Sequence, residues 1–211
     1  MTSSDERSAA AIELQVAQLF ALVAEALAGA THALLAQEPE TARMVVERDE
    51  MIDGLTAEVE GKVWARVATC PRGELRQLVG TLLILPELER SADLAEHVAQ
   101  RALVGLGGEM SPLSRGVVQR MTEVGLDMWR TVAGAFVERT HLQVDLDEAD
   151  EELDVLRDRL TVEVASGSME PAIAAQVTLL ARFYERLGDH AVNLARRIAG
   201  LSGENPAVPT A

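Results

Sequence analysis

Apolar residues recur at three- and four-residue steps through six long runs, all but the fourth closed by proline or glycine, and that rhythm restricts the chain to packed α-helices. The first helix is expected over about residues 8–36, with Ile12, Val16, Leu19, Val23 and Leu27 on one face. Pro39 breaks it, and a second over about 40–68 carries Val45, Ile52, Val59 and Val63. Cys70-Pro71-Arg72-Gly73 stops that helix, because proline disfavours the helical conformation in the residue before it. A third, about 72–103, should turn Leu75, Leu78, Val79, Leu82, Leu85 and Leu88 inward, followed by Ala92, Ala95 and Ala99. The stretch Gly105 to Pro112 has no periodicity and is expected to be a connector. Three further helices follow, about 112–139, 145–165 and 170–201.

Long helices joined by short loops favour antiparallel neighbours, and three helices, a connector and three more suggest an internal duplication. The acidic residues test it. Glu89 and Asp93 precede Glu185 and Asp189 by 96 positions, and Asp49 and Asp53 precede Asp150 and Asp154 by 101. One loop longer by five residues, near Ala68 to Gly73, reconciles the two offsets. The expected architecture is all-α, with one three-helix unit in 1–106, a second in 107–201 and a disordered tail at 202–211.

Composition agrees: 48% of residues are hydrophobic but only 3% aromatic, which suits helices better than strands. The net charge of −15 opposes binding to a phosphate backbone, so no nucleic-acid partner is expected, and it draws cations and basic surfaces instead. Cys70 is the single cysteine, which rules out an internal disulfide and a thiolate zinc site, and it is expected to act as a small apolar residue near a helix end. The start of the chain lacks the basic and apolar pattern of a secretory signal. Apolar stretches are about ten residues long or interrupted by Glu13 and Glu25, against about 20 for a bilayer span, so a cytoplasmic location is expected.

The acidic i,i+4 pairs are the candidate site: Asp49/Asp53 with Glu89/Asp93, and Asp150/Asp154 with Glu185/Asp189. Residues four apart share a helical face, so two such helices side by side would bring four carboxylates together. Hard oxygen donors in that number suit Mg²⁺, Mn²⁺, Ca²⁺ or iron. With 34 acidic residues in the chain, chance alone supplies roughly five pairs of this spacing, most of them solvated surface charge. Recurrence in register in both halves is what raises these four above that level. His97 and Asn193 lie four residues beyond Asp93 and Asp189, placed to add a ligand or to hold a carboxylate, although a partly exposed helical histidine explains His97 equally well. His190 is expected to pack or to hydrogen-bond between helices, and His32 and His141 have no acidic neighbour at suggestive spacing. Gly188, mid-helix, suggests a close helix backbone, with Ala92 as its counterpart.

The segment Glu185-Arg186-Leu187-Gly188-Asp189-His190-Ala191-Val192-Asn193 resembles the signature of the PhoU family almost residue for residue, and Val177 to Tyr184 before it is similar to the actinobacterial branch. The resemblance extends from about Ala9 to Gly200. It implies two pseudo-symmetric three-helix bundles and acidic motifs that bind metal ions, with Fe, Zn, Mn or Mg as candidates. It also implies a non-enzymatic adaptor that lowers phosphate-starvation signalling and phosphate uptake. The partners so implied are a sensor histidine kinase and the ATPase of a phosphate ABC transporter, reached by peripheral contact with membrane complexes; a homodimer is left open. In the first half, Ser91, Ala92 and His97 depart from the pattern, and Pro86 removes a backbone hydrogen bond three residues before Glu89, where a bend would re-aim the pair. On signature alone, Glu185/Asp189 is the better of the two sites. Two other functions share some of these features: a di-metal carboxylate enzyme, which would want a Glu-x-x-His on each of two helices, and a structural module with solvated acidic faces.

Overall fold

The computed structural model describes residues 3–138 and 146–201. Among these it has seven helices and no strand: α1 (Ser3–Ala36), α2 (Pro39–Val67), α3 (Arg72–Leu103), α4 (Leu106–Glu109), α5 (Pro112–Glu138), α6 (Asp147–Ala165) and α7 (Pro171–Leu201). Helix α1 starts five residues earlier than its apolar pattern suggests. The expected connector contains a single turn, α4, entered through Gly105 at φ 78°, where a side chain would be strained. His141, the ends expected at Arg139 and Asp145, and the tail 202–211 lie outside the described residues.

Helices α1, α2 and α3 pack on one another, as do α5, α6 and α7. The two groups meet where α3 lies against α7 and α1 against α5. One hydrophobic core therefore runs through both, from Val16, Leu19 and Leu88 to Trp129, Leu187 and Leu194. Helix α1 is long and apolar enough to cross a membrane by length and composition. Glu13 and Glu25 leave eleven residues between them, and Glu25 is the only Asp, Glu, Lys or Arg from Leu14 to Ala36. That apolar face is spent on the core, where Val16, Leu19, Val23 and Leu27 are fully buried.

Several buried polar groups at the junction are paired across the helices. The Tyr184 hydroxyl is bonded to Thr31 at 2.5 Å, and Trp129 Nε1 donates to the carbonyl of Leu187 at 3.3 Å. Buried Glu87 on α3 accepts from Arg197 on α7 at 2.8 Å. Ser91 donates to the Glu87 carbonyl at 2.7 Å, which leaves its oxygen to accept from His190 Nδ1 at 2.8 Å. His190 thus joins the helices, and burial lowers its pKa, favouring the neutral ring. These contacts set α3 and α7 antiparallel, Glu87 beside Arg197 and His97 beside Phe183.

Two expected core positions are not in the core. Leu75 and Val79 are 40% and 43% exposed, because they lie on the face of α3 turned away from the core, while Leu78, Gly80 and Thr81 beside them are buried. Cys70 is half-buried after the end of α2, its Sγ 3.6 Å from the Val67 carbonyl, which suits a small packing residue.

The connector is fixed by close approach of backbone. A Cβ on Gly107 would lie 1.8 Å from the Leu34 carbonyl oxygen, whereas one on Gly116 in α5 would meet nothing within 4 Å. Arg115 donates to the Gly107 and Leu35 carbonyls from the other side. Gly107→Ala should cost about 2–3 kcal/mol through overpacking, while Gly116→Ala should gain roughly 0.5–1 kcal/mol from helix propensity. Urea unfolding of both variants checks the pair, and equal midpoints would contradict it.

Candidate metal centre

Asp49 and Asp53 project from one face of α2 because they are four residues apart, and Ile52, buried between them, fixes which face that is. Asp93 comes from α3, where Ala92 and Ala95 turn inward and leave it half-buried. Each of Asp49, Asp53 and Asp93 offers a carboxylate oxygen, all within 4.8 Å of one another. Glu89 and Glu96 add negative charge close enough to act on Asp49.

Burial, and after it repulsion from Glu96, Asp53, Asp93 and Glu89, pushes the Asp49 carboxyl up to about 7. Glu89 and Asp93 are raised too, burial first and Asp53 second, with Arg90 partly opposing. His97, half-buried, stacks on Phe183 at 5.2 Å between ring centroids, and its buried Nδ1 has no hydrogen-bond partner.

The second half arranges its carboxylates differently. Asp150 is raised by burial and then by Asp189, Asp154, Asp147 and Glu185, which places the four expected acids in one neighbourhood. But Arg157 reaches into it, 2.9 Å from Asp154 and 3.2 Å from Glu185, and Arg182 pairs with Glu185 as well. The offsets of 101 and 96 put Thr56 and Pro86 where Arg157 and Arg182 stand. Thr56 is buried and carries no charge, and Pro86 cannot supply one. The same alignment sets Glu96 against Val192. So one half pairs its acids with its own arginines while the other has neither of these arginines, and each half has one acid that the other lacks, Glu96 in the first and Asp147, aligned with Val46, in the second. Among the described residues, the convergence of three carboxylates lies in the half whose signature is the less regular.

Gly188 is needed for a side chain rather than a backbone. A Cβ there would lie 2.4 Å from Leu153 Cδ1 and 3.2 Å from Asp150 Oδ1, so the glycine lets α6 seat its buried leucine and carboxylate against α7. His32 does have an acidic neighbour, Glu38, at 3.4 Å, but that exposed pair is far along the chain from either cluster.

Two stacked three-helix groups, each carrying paired carboxylates on its second and third long helices, define a tandem helical-bundle protein with duplicated acidic sites. A PhoU domain model matches residues 16–102 and again 118–198. The chain belongs to the PhoU family. It is 29% identical over 203 residues to the Thermotoga maritima phosphate-specific transport system accessory protein PhoU homolog 1, covering 92% of this chain and 86% of that one. It is 33% identical over 180 residues to the Aquifex aeolicus PhoU homolog, covering 82% and 80%, and 28% identical over 190 residues to PhoU homolog 2 of Mycobacterium tuberculosis, covering 87% and 89%. The fold matches the crystal structure of PhoU from Pseudomonas aeruginosa with a TM-score of 0.85 at 22% identity, over 93% of this chain and 97% of that one.

A raised carboxyl pKa has a definite sign in stability. Between the unfolded value of about 4 and the folded value of about 7 for Asp49, the folded metal-free chain holds more protons than the unfolded one. Its stability from this group is therefore present at low pH and lost as pH rises through that window. Asp49→Asn should raise Tm in EDTA at pH 8 and leave it unchanged at pH 4. After solvent screening the gain is about 1 kcal/mol at most, or about 2–4 °C. Calorimetry at the two pH values measures it, and a lower Tm for the variant at pH 8 would contradict the repulsion.

Proposed function

We propose that this chain is a metal-binding regulatory adaptor that restrains phosphate-starvation signalling and phosphate uptake. The observation that carries the metal part is the three-carboxylate convergence of Asp49, Asp53 and Asp93, none of which is in an ion pair with an arginine among the described residues. Oxygen donors of this kind fit Mg²⁺, Mn²⁺ or iron better than a soft ion, and zinc would have to bind through carboxylates. A divalent ion bound there would remove the mutual repulsion that raises Asp49. The second cluster of Asp150, Asp154, Glu185 and Asp189 would bind more weakly, because an incoming cation competes with Arg157 and Arg182.

The regulatory part rests on family membership and on the phosphate-specific transport system named for the relatives. A sensor histidine kinase and the transporter's ATPase are the partners we infer, contacted at the membrane periphery from the cytoplasm. Catalysis is not part of this proposal: no Glu-x-x-His pair stands on facing helices among the described residues.

Metal content by mass spectrometry after loading with Mn²⁺ or Fe²⁺ tests the site. The triple variant Asp49→Asn, Asp53→Asn, Asp93→Asn should lose most of the bound metal, and Glu185→Ala with Asp189→Ala should lose less. Arg157→Thr should strengthen binding in the second half by about tenfold, since it removes a resident cation from a partly desolvated cluster. A triple variant that keeps the parental stoichiometry would overturn the assignment. In cells, deletion of the chain should raise a phosphate-starvation reporter in high phosphate, and the parental chain should restore repression.

A further inference from the structure

Leu75, Val79 and Leu83 lie at i, i+4 and i+8 on α3 and are 40%, 43% and 50% exposed. Pro86, also exposed, continues the line. Residues so spaced form one stripe along the helix, about 16 Å from Leu75 to Pro86 at the helical rise. The stripe floors a groove of about 570 Å³, walled by Gly200, Leu201 and Arg197 at the end of α7. The groove is built into the packing: Leu201 sits so close over Gly80 that a Cβ there would lie 1.8 Å from its Cδ2.

The charges lining it are all arginine, namely Arg72, Arg76 and Arg197, in a chain whose net charge is −15. Arg197 is tied to Glu87. Arg72 and Arg76 are exposed and make no ion pair or hydrogen bond among the described residues. The nearby Glu74 does not neutralise them, because it is held by Arg66 at 2.7 Å. An apolar strip edged by free guanidinium groups suits a helix with apolar residues on one face and carboxylates flanking them. Self-association through this groove would set arginines of one copy against those of the other, and an anionic bilayer would be repelled by the rest of the chain.

We propose that the α3–α7 groove is a docking surface for an acidic amphipathic helix of a partner protein. The proposal does not depend on metal at the carboxylate clusters, so the test is run in EDTA. The probe is a fluorescein-labelled peptide of about 18 residues with leucine at i, i+4, i+7 and i+11 and glutamate beside them; its counterpart carries lysine for glutamate. Fluorescence anisotropy with the full chain at low salt should detect the acidic peptide, with affinity falling as salt rises. Val79→Asp with Leu83→Glu, and separately Arg72→Glu with Arg76→Glu, should each weaken it about tenfold or more. All four positions are exposed, and unchanged circular dichroism confirms that the variants fold. The proposal is overturned if the lysine peptide binds as well, or if neither variant weakens binding. It is also overturned by another occupant. Sedimentation at twice the monomer mass, abolished by Val79→Asp with Leu83→Glu, would show a second copy there. Cosedimentation with phosphatidylserine vesicles but no peptide binding would show a membrane. Peptide binding that appears only after removal of residues 202–211 would show the chain's own tail.

Discussion

The ion pair between buried Glu87 and half-buried Arg197, where α3 lies on α7, is the contact on which the placement of both acidic clusters depends. Helices α3 and α7 each supply half of one cluster, and each has its other face committed to the opposite half of the molecule. Removing Arg197 would strand the buried Glu87 carboxylate, at a cost below the about 3–5 kcal/mol of a fully buried pair because Arg197 itself reaches solvent. Nearby, Ser91 and His190 take up each other's polar atoms, so the crossing is specified by geometry as well as by apolar burial. With α3 fixed this way, α2 has one way to bury Ile52 and Val59, and that orientation delivers Asp49 and Asp53 to Asp93.

Much of this was legible before any coordinates. The three- and four-residue rhythm gives the long helices, and the offsets of 96 and 101 between acidic pairs give the duplication. What the rhythm could not distinguish is a stripe that faces a neighbour from one that does not. Leu75 and Val79 continue the apolar pattern of Leu82 and Leu85 without interruption, yet only tertiary cover decides burial, and their face of α3 is turned away from the core. The connector's α4 escaped for the opposite reason, since a single turn with two glycines has no period to detect.

The ranking of the two acidic sites turns on a different kind of information. Similarity to a signature favours Glu185/Asp189, but a signature weighs residue identity rather than local charge balance. The deciding residues, Arg157 and Arg182, were in the sequence all along, and setting them beside Thr56 and Pro86 needs only the alignment that the acids already supply. What the alignment does not give is reach. An arginine three residues from an acid can extend into solvent as easily as into the cluster, and only the packing of α6 on α7 shows that Arg157 bridges Asp154 and Glu185.

Duplication followed by divergence gives these two clusters unequal electrostatic situations. In the second half the guanidinium of Arg157 is a tethered cation, present at an effective concentration no free ion matches and independent of what the medium supplies. In the first half repulsion is left unresolved, and the cost appears as protons retained on Asp49 to about pH 7. A cluster that holds protons near neutrality exchanges them readily for a divalent ion, because the ion removes several repulsive contacts at once while the proton removes only those of one carboxyl. The two halves share a backbone but differ in how far their own cations offset the acids: Arg157 and Arg182 pair directly with the second cluster, whereas in the first Arg90 only partly opposes the rise.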